Sequence, residues 1–240
     1  MGFGNLSHWR HWRALKRMRE DWDRRARENS RHYIADGRSD WSEAEFFQSG
    51  EEQVANDILT DMHNICQGKD PKRMRVLEVG CGAGRVTRAL AGVFGEVHAV
   101  DVSGEMVRQA REALKHLPNV FVYQNNGCDL SVLGERRFDF AYSSCVFHHI
   151  GKREIIEDYV HEVHRLLRPG CLFKFEVQGC VEMPENPDET WLGAPWSEEQ
   201  AVAMARRCGF DPRYRAGAGQ ERFWLWFFKC PPTGLPARRA

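Results

Sequence analysis

Between residues 74 and 178, short runs of apolar and β-branched residues alternate with stretches in which apolar side chains recur every three to four positions. The runs read as strands at 74–79, 96–101, 119–124, 138–143 and 171–178, and the periodic stretches as helices at 84–94, 104–115 and 152–167, with another at 197–207. Strands separated by helices imply a parallel sheet with right-handed crossovers. The end of the chain breaks this rule. Strands near 211–215 and 221–229 are joined only by residues 216–220, too few for a crossover, so they must form an antiparallel hairpin.

Upstream, Trp9, Trp12, Leu15, Met18 or Arg19, Trp22 and Ala26 mark an amphipathic helix over Ser7–Arg31. Residues 40–50 read as a turn and a short helix ended by Gly50. A separate helix is predicted over Glu51–Cys66, with Val54, Ile58, Leu59, Met62 and Ile65 on one face. Gly68–Lys72, with Pro71, reads as a linker. The expected organisation is a helical extension over 1–70, one α/β domain over 71–230 and a flexible tail over 231–240.

The first strand of the α/β domain leads into Gly80, Gly82 and Gly84 before the next helix begins. Glycines at a strand-to-helix turn permit positive φ and let a ligand approach the backbone, and the helix start offers unpaired N–H groups. Dinucleotide folds space such glycines G-x-G-x-x-G to seat a pyrophosphate. Here they run G-x-G-x-G, with Glu78 two residues ahead. A carboxylate there repels phosphate and suits a nucleoside carrying positive charge. The second strand ends in Asp101, 21 residues after Gly80, placed to accept hydrogen bonds from both hydroxyls of a ribose. Val102 and Met106 would wall an adenine.

With these features in order, the stretch resembles class I S-adenosylmethionine (SAM) dependent methyltransferases of the small-molecule type. The resemblance extends through Phe138–Ser144 as a fourth strand and Leu166–Gly170 as the turn before the fifth. It implies an α/β fold: a doubly wound, seven-stranded, mostly parallel sheet in the order 3-2-1-4-5-7-6, with the last strand antiparallel, plus the N-terminal helical extension. It also implies SAM as cofactor, held by Glu78, Gly80, Cys81, Gly82, Gly84, Asp101, Val102 and Met106, by Asn126, Gly127 and Cys128 at the adenine edge, and by Ser143. The N-terminal helices would fold over the cofactor, making Tyr33, Trp41, Phe46 and Phe47 lid and substrate-pocket candidates. His148 and His149, after the fourth strand, are candidates for a general base, although a base is optional for methyl transfer; packing beside the cofactor and capping a helix are the competing roles. Glu176, Gln178 and Tyr142 also fall at strand ends facing the ligand side.

Bulk properties narrow the partners. Lys plus Arg and Asp plus Glu both number 34, so there is no general pull towards nucleic acid or anionic membrane. The first 31 residues are locally basic, nine Lys/Arg against four acids, which keeps RNA as a rival acceptor. No C-x-x-C pair, aromatic-basic stripe or Asn-Pro-Pro-aromatic signature supports it. Eight cysteines show neither metal-ligand nor disulfide spacing; arsenite, with Cys66, Cys128, Cys145 and Cys180 as thiols, is a weaker rival acceptor. No signal-peptide pattern or run of ~18 apolar residues occurs. The expectation is therefore a cytoplasmic enzyme with a small-molecule acceptor, no metal, no membrane and no assigned oligomeric state. Methyl transfer is expected at oxygen or nitrogen ahead of carbon or sulfur. A non-catalytic SAM-binding or interaction module is the reading from another class. Specificity is expected to reside in the N-terminal lid and in residues 179–197.

Overall fold

The computed structural model describes residues 4–35, 37–183, 186, 188 and 190–231, with side chains from residue 11 onward. Seven strands form one sheet: β1 (Arg75–Val79), β2 (Glu96–Asp101), β3 (Val120–Gln124), β4 (Phe138–Ser143), β5 (Leu167–Val177), β6 (Phe210–Ala216) and β7 (Phe223–Lys229). Their order is 3-2-1-4-5-7-6. β1 to β5 run parallel, and β7 is antiparallel to both β5 and β6. The short link between the last strands forces this arrangement, because a strand returning without a crossover can only pair antiparallel.

Helices cover both faces. On one face Leu77, Val79, Phe173, Phe175 and Val177 pack against α6 (Arg153–Leu166) and α7 (Glu198–Arg207). On the other, Val76, Phe140 and Leu172 pack with residues of α2 (Glu43–Asp57), α3 (Met62–Cys66) and α4 (Arg85–Val93), while α5 (Gly104–Leu114) covers Ala99 and Val122. The helices after residue 43 thus share the core of the sheet. Ser42 with Glu45, and Ser197 with Gln200, form reciprocal capping boxes that start α2 and α7.

α1 (Gly4–Ile34) is longer than the pattern predicted and changes direction at Asn29, whose backbone is extended (φ −168°, ψ 88°). The Asn29 side chain accepts from the His32 N–H (3.2 Å) and so caps the final turn as a new helix start. Leu15 and Met18 of α1 are buried with the sheet's core, and Ala26 packs beside α5.

The expected break at Gly50 is absent: α2 runs through it, and the chain breaks instead after Asp57, into a 3-10 turn (Leu59–Asp61) and α3. The glycine is there for a close approach, since a Cβ at residue 50 would lie 2.3 Å from the Arg85 carbonyl oxygen. α2 is thereby pressed against the start of α4. Of the expected tail over 231–240, residues 232–240 lie outside the described residues.

Gly50→Ala should destabilise the fold by about 1–3 kcal/mol, the usual cost of overpacking, although alanine is the better helix former by roughly 1 kcal/mol. Urea denaturation checks this, and a variant as stable as the parent would contradict the close packing.

Candidate functional site

The sheet order reverses between β1 and β4, and a cleft opens at the carboxyl ends of the strands there, roofed by α1. In open α/β sheets this is where ligands bind. The turn after β1 takes φ of 78°, 52° and 88° at Gly80, Gly82 and Gly84, values L-residues rarely adopt. Its first three amides are engaged within the protein. Gly80 and Cys81 donate to the Val100 carbonyl (2.8 and 3.0 Å), and Gly82 donates to Asp101 Oδ2 (2.8 Å). The turn is therefore strapped to β2, and the Gly80, Cys81 and Gly82 N–H groups are not free for a phosphate.

Two carboxyls frame this turn. Glu78 is buried, and its Oε2 accepts from the Thr87 hydroxyl at 2.6 Å. Burial pushes its pKa up to about 7, with Asp101 raising it further and Thr87 and Arg85 opposing. Asp101 accepts from the Ser103 N–H (2.9 Å) as well as from Gly82. Burial drives its pKa up to about 6 against those two bonds, and Asp23 on α1 adds repulsion. Asp23 itself accepts from the Ser103 hydroxyl (2.6 Å) and the Glu105 N–H (3.1 Å), docking α1 on the first turn of α5.

Glu78, Gly80, Cys81, Gly82, Asp101, Val102, Met106 and Tyr33 all line the cleft. Gly84 does not; it is the left-handed N-cap of α4, where a Cβ would lie 2.7 Å from Leu114. Asn126 turns inward, its Oδ1 accepting from the Cys128 and Asp129 N–H groups (3.1 and 2.9 Å). Gly127 lies beneath Met18 and Leu15, and Cys128 is fully buried. The residue facing the cleft is Asn125, whose Nδ2 donates to the Tyr159 hydroxyl (2.8 Å) while its buried Oδ1 has no partner. Ser143 ties β4 to β1 by donating to the Val79 carbonyl (2.9 Å), and the next residue, Ser144, lines the cleft. Phe46 and Phe47 are core residues beside Cys81 and Ala83. Trp41 donates to the Ala35 carbonyl (2.9 Å) under Arg38. The roof is supplied instead by Met18, Trp22, Tyr33 and Ile34 of α1.

Neither His148 nor His149 lines the cleft. His149 Nδ1 contacts the Trp191 carbonyl, which can only accept, so that nitrogen carries the proton. Its bare Nε2 then accepts from His148 Nε2 at 3.0 Å, leaving His148 Nδ1 as a buried acceptor without a partner. Burial, reinforced by His149 and Arg222, drops His148 to about 2; burial also drops His149 to about 4, against the Trp191 contact. Both are neutral at physiological pH. Trp191, from the 179–197 segment, packs on Trp22, Tyr33 and His149, and Arg25 lies over the Trp22 and Trp191 rings. The cysteines are free thiols, and among the described residues no group of three His, Cys, Asp or Glu could hold a metal.

A sheet of this order, closed by an antiparallel β7 and carrying its cleft at the β1/β4 reversal, defines the class I methyltransferase fold. Residues 76–170 match the family model described as a methyltransferase domain. Solved structures show the same fold: magnesium protoporphyrin IX methyltransferase (ChlM) from Synechocystis PCC 6803 with bound S-adenosylhomocysteine (SAH) superposes with a TM-score of 0.63 at 15% identity over 88% of this chain and 97% of that one. The DhpI–SAH complex gives 0.61 at 17% identity over 90% and 97%. Among curated proteins, the malonyl-[acyl-carrier protein] O-methyltransferase of Enterobacter lignolyticus (strain SCF1) is 30% identical over 113 residues, 46% of this chain and 41% of that protein. The trans-aconitate 2-methyltransferase of Rhodopseudomonas palustris (strain BisA53) is 28% identical over 181 residues, 70% of this chain and 63% of that one. The chain thus spans 41% and 63% of the length of these two relatives. Residues 76–170 thus match a methyltransferase domain, and the sheet that contains them has the class I methyltransferase fold.

The two raised carboxyls make a stability prediction for the ligand-free protein. Between the unfolded values near 4 and the folded values of about 6 and 7, the folded state binds more protons, so stability falls as pH rises through that window. Glu78→Gln should therefore raise stability at pH 8 by on the order of 1–3 kcal/mol, with the gain vanishing near pH 4. Urea midpoints of both proteins at the two pH values check this; an unchanged difference between them would contradict it.

Proposed function

We propose that this protein transfers the methyl group of SAM to an oxygen or nitrogen atom of a small-molecule acceptor. One observation carries the reading: Asp101 and the unpartnered Asn125 Oδ1 face the same cleft, with Val102 and Met106 also in its wall. Those are an acceptor pair for a ribose diol, an acceptor for an exocyclic amine and an apolar wall for a base. The cofactor supplies, when bound, an electrophilic sulfonium methyl.

The chain's own residues do the rest. Asp101 accepts from the ribose hydroxyls with the lone pairs that Gly82 and Ser103 leave open, and Asn125 Oδ1 accepts from the adenine amine. Glu78 gains a cationic neighbour that favours its ionised form. The roof of Trp22, Tyr33 and Ile34 excludes water, and alignment of reactants in a dry site supplies ~7–11 kcal/mol of barrier reduction. Neutral His148 and His149, set back from the cleft, leave the acceptor to arrive without a histidine base.

A small acceptor suits a cleft roofed by α1, and it accords with one relative's name, trans-aconitate; the malonyl group named for the other is a small acid borne on a carrier protein. Eight free thiols fit a reducing, cytoplasmic setting, and among the described residues no helix is long and apolar enough to cross a membrane.

Calorimetry should show saturable SAM binding that weakens at least tenfold in Asp101→Ala, since hydrogen bonds to a charged group contribute ~1.5–3 kcal/mol each. Incubation with carboxylic acids, phenols and amines should then yield SAH with at least one class. Unchanged affinity in the variant would sink the ribose assignment, and a wild-type protein that does not bind SAM would sink the function. The pH–rate profile of His148→Asn should match the parent; a lost limb would restore that histidine as a base.

A further inference from the structure

Arg85, the first residue of α4, lines the same cleft and is only 7% exposed. Its guanidinium meets neutral oxygens: Nη1 donates to the Ser49 hydroxyl at 3.3 Å and Nη2 to the Gln53 amide oxygen at 2.5 Å. Nε is buried with no partner. No carboxylate of the cleft region is hydrogen-bonded to it. Glu78 is held by Thr87, Asp57 by the Tyr142 hydroxyl (2.8 Å), and Glu176 by the Cys145 N–H and the Ser144 hydroxyl (2.6 and 3.0 Å). Glu78 is near enough to feel its charge, but no carboxylate is hydrogen-bonded to the guanidinium, and a buried Nε left unpaired is costly.

The surroundings hold the group in place. Gln53 also donates to the Tyr142 hydroxyl (3.0 Å) and to Ser144 (2.7 Å), so the side chain that orients Arg85 is itself fixed by the end of β4. Gly50 lets α2 close on the Arg85 backbone. A positioned fork of N–H donors with a free Nε matches the two oxygens of a carboxylate.

We propose that Arg85 is a carboxylate-binding residue of this cleft, taking the carboxylate either of the cofactor's amino-acid end or of a carboxylic acid acceptor. The inference deepens the methyltransferase reading and rests on it. In the first case Arg85 fixes the end of the cofactor remote from the ribose at Asp101. In the second it selects an acceptor that is already an anion, and so requires no base.

Calorimetry on the wild type, Arg85→Gln and Arg85→Lys distinguishes these cases. The probes are SAH, methylthioadenosine, which lacks the amino-acid end, and trans-aconitate added to the SAH complex. A cofactor contact predicts at least tenfold weaker SAH binding in Arg85→Gln with methylthioadenosine unchanged. An acceptor contact predicts unchanged SAH binding and loss of trans-aconitate binding. Methylthioadenosine also reports that the variant is folded; should Arg85→Gln lose it, Arg85→Lys, which keeps the charge without the fork, carries the same comparison. A folded variant that binds SAH and trans-aconitate as the wild type does overturns the inference and leaves the cofactor reading standing. A wild type that binds neither SAH nor methylthioadenosine overturns the cofactor reading and, with it, this one.

Discussion

The hydrogen bond from the Gly82 N–H to Asp101 Oδ2 is the constraint on which the site depends. Together with the two amides donated to Val100, it joins the end of β1 to the end of β2 and consumes the N–H groups of the glycine turn. Those three amides are therefore not available to a phosphate. What it presents is carboxylate: Asp101 on one side and Glu78 below, both held in a poorly hydrated pocket where ionisation is disfavoured. Such a site gains from a cationic nucleoside and would lose from a diphosphate. α4 and α5 both begin at this junction, and α1 docks on it through Asp23.

Much of the fold was legible because it follows from short-range rules. Strand parity, crossover length and a five-residue link gave the sheet and its antiparallel end, and apolar periodicity placed α7 within a residue of its observed start. Gly50 was misleading, because a glycine in a helix looks like a break unless the carbonyl of Arg85, thirty-five residues further along the chain, is known to lie against it. The start of β5 at Leu167 was also hidden, since Pro169 and Gly170 belong to an irregular stretch where the β4–β5 register shifts.

The site divides in the same way. Of the residues that spacing and the family resemblance named on the β1 turn and at the end of β2, all but Gly84 line the cleft. At the end of β3 the sequence offered two adjacent asparagines. Only the fold shows that Asn126 satisfies its own turn while Asn125 faces the cleft. Of the lid candidates Tyr33 lines the cleft; the rest of the roof was not legible, because periodicity shows that α1 has an apolar face without showing what that face covers. Met18, Trp22 and Ile34 roof the cleft, and the Phe46–Phe47 pair fills core. Arg85 gave no sequence signal beyond its place at a helix start; its neutral partners come from α2.

In the ligand-free protein this arrangement works against stability. Val146 and Ile34 fill the space over Gly80 and Gly82, and two carboxyls sit where water hydrates them poorly. A cationic ligand would relieve the second cost. The direct test is carbon-detected NMR titration of the Glu78 and Asp101 carboxyls with and without SAM. The account predicts ligand-free midpoints near 7 and 6 that both fall by at least one unit when the cofactor is bound. Midpoints near 4 in the ligand-free protein, or midpoints that do not move on binding, would contradict it.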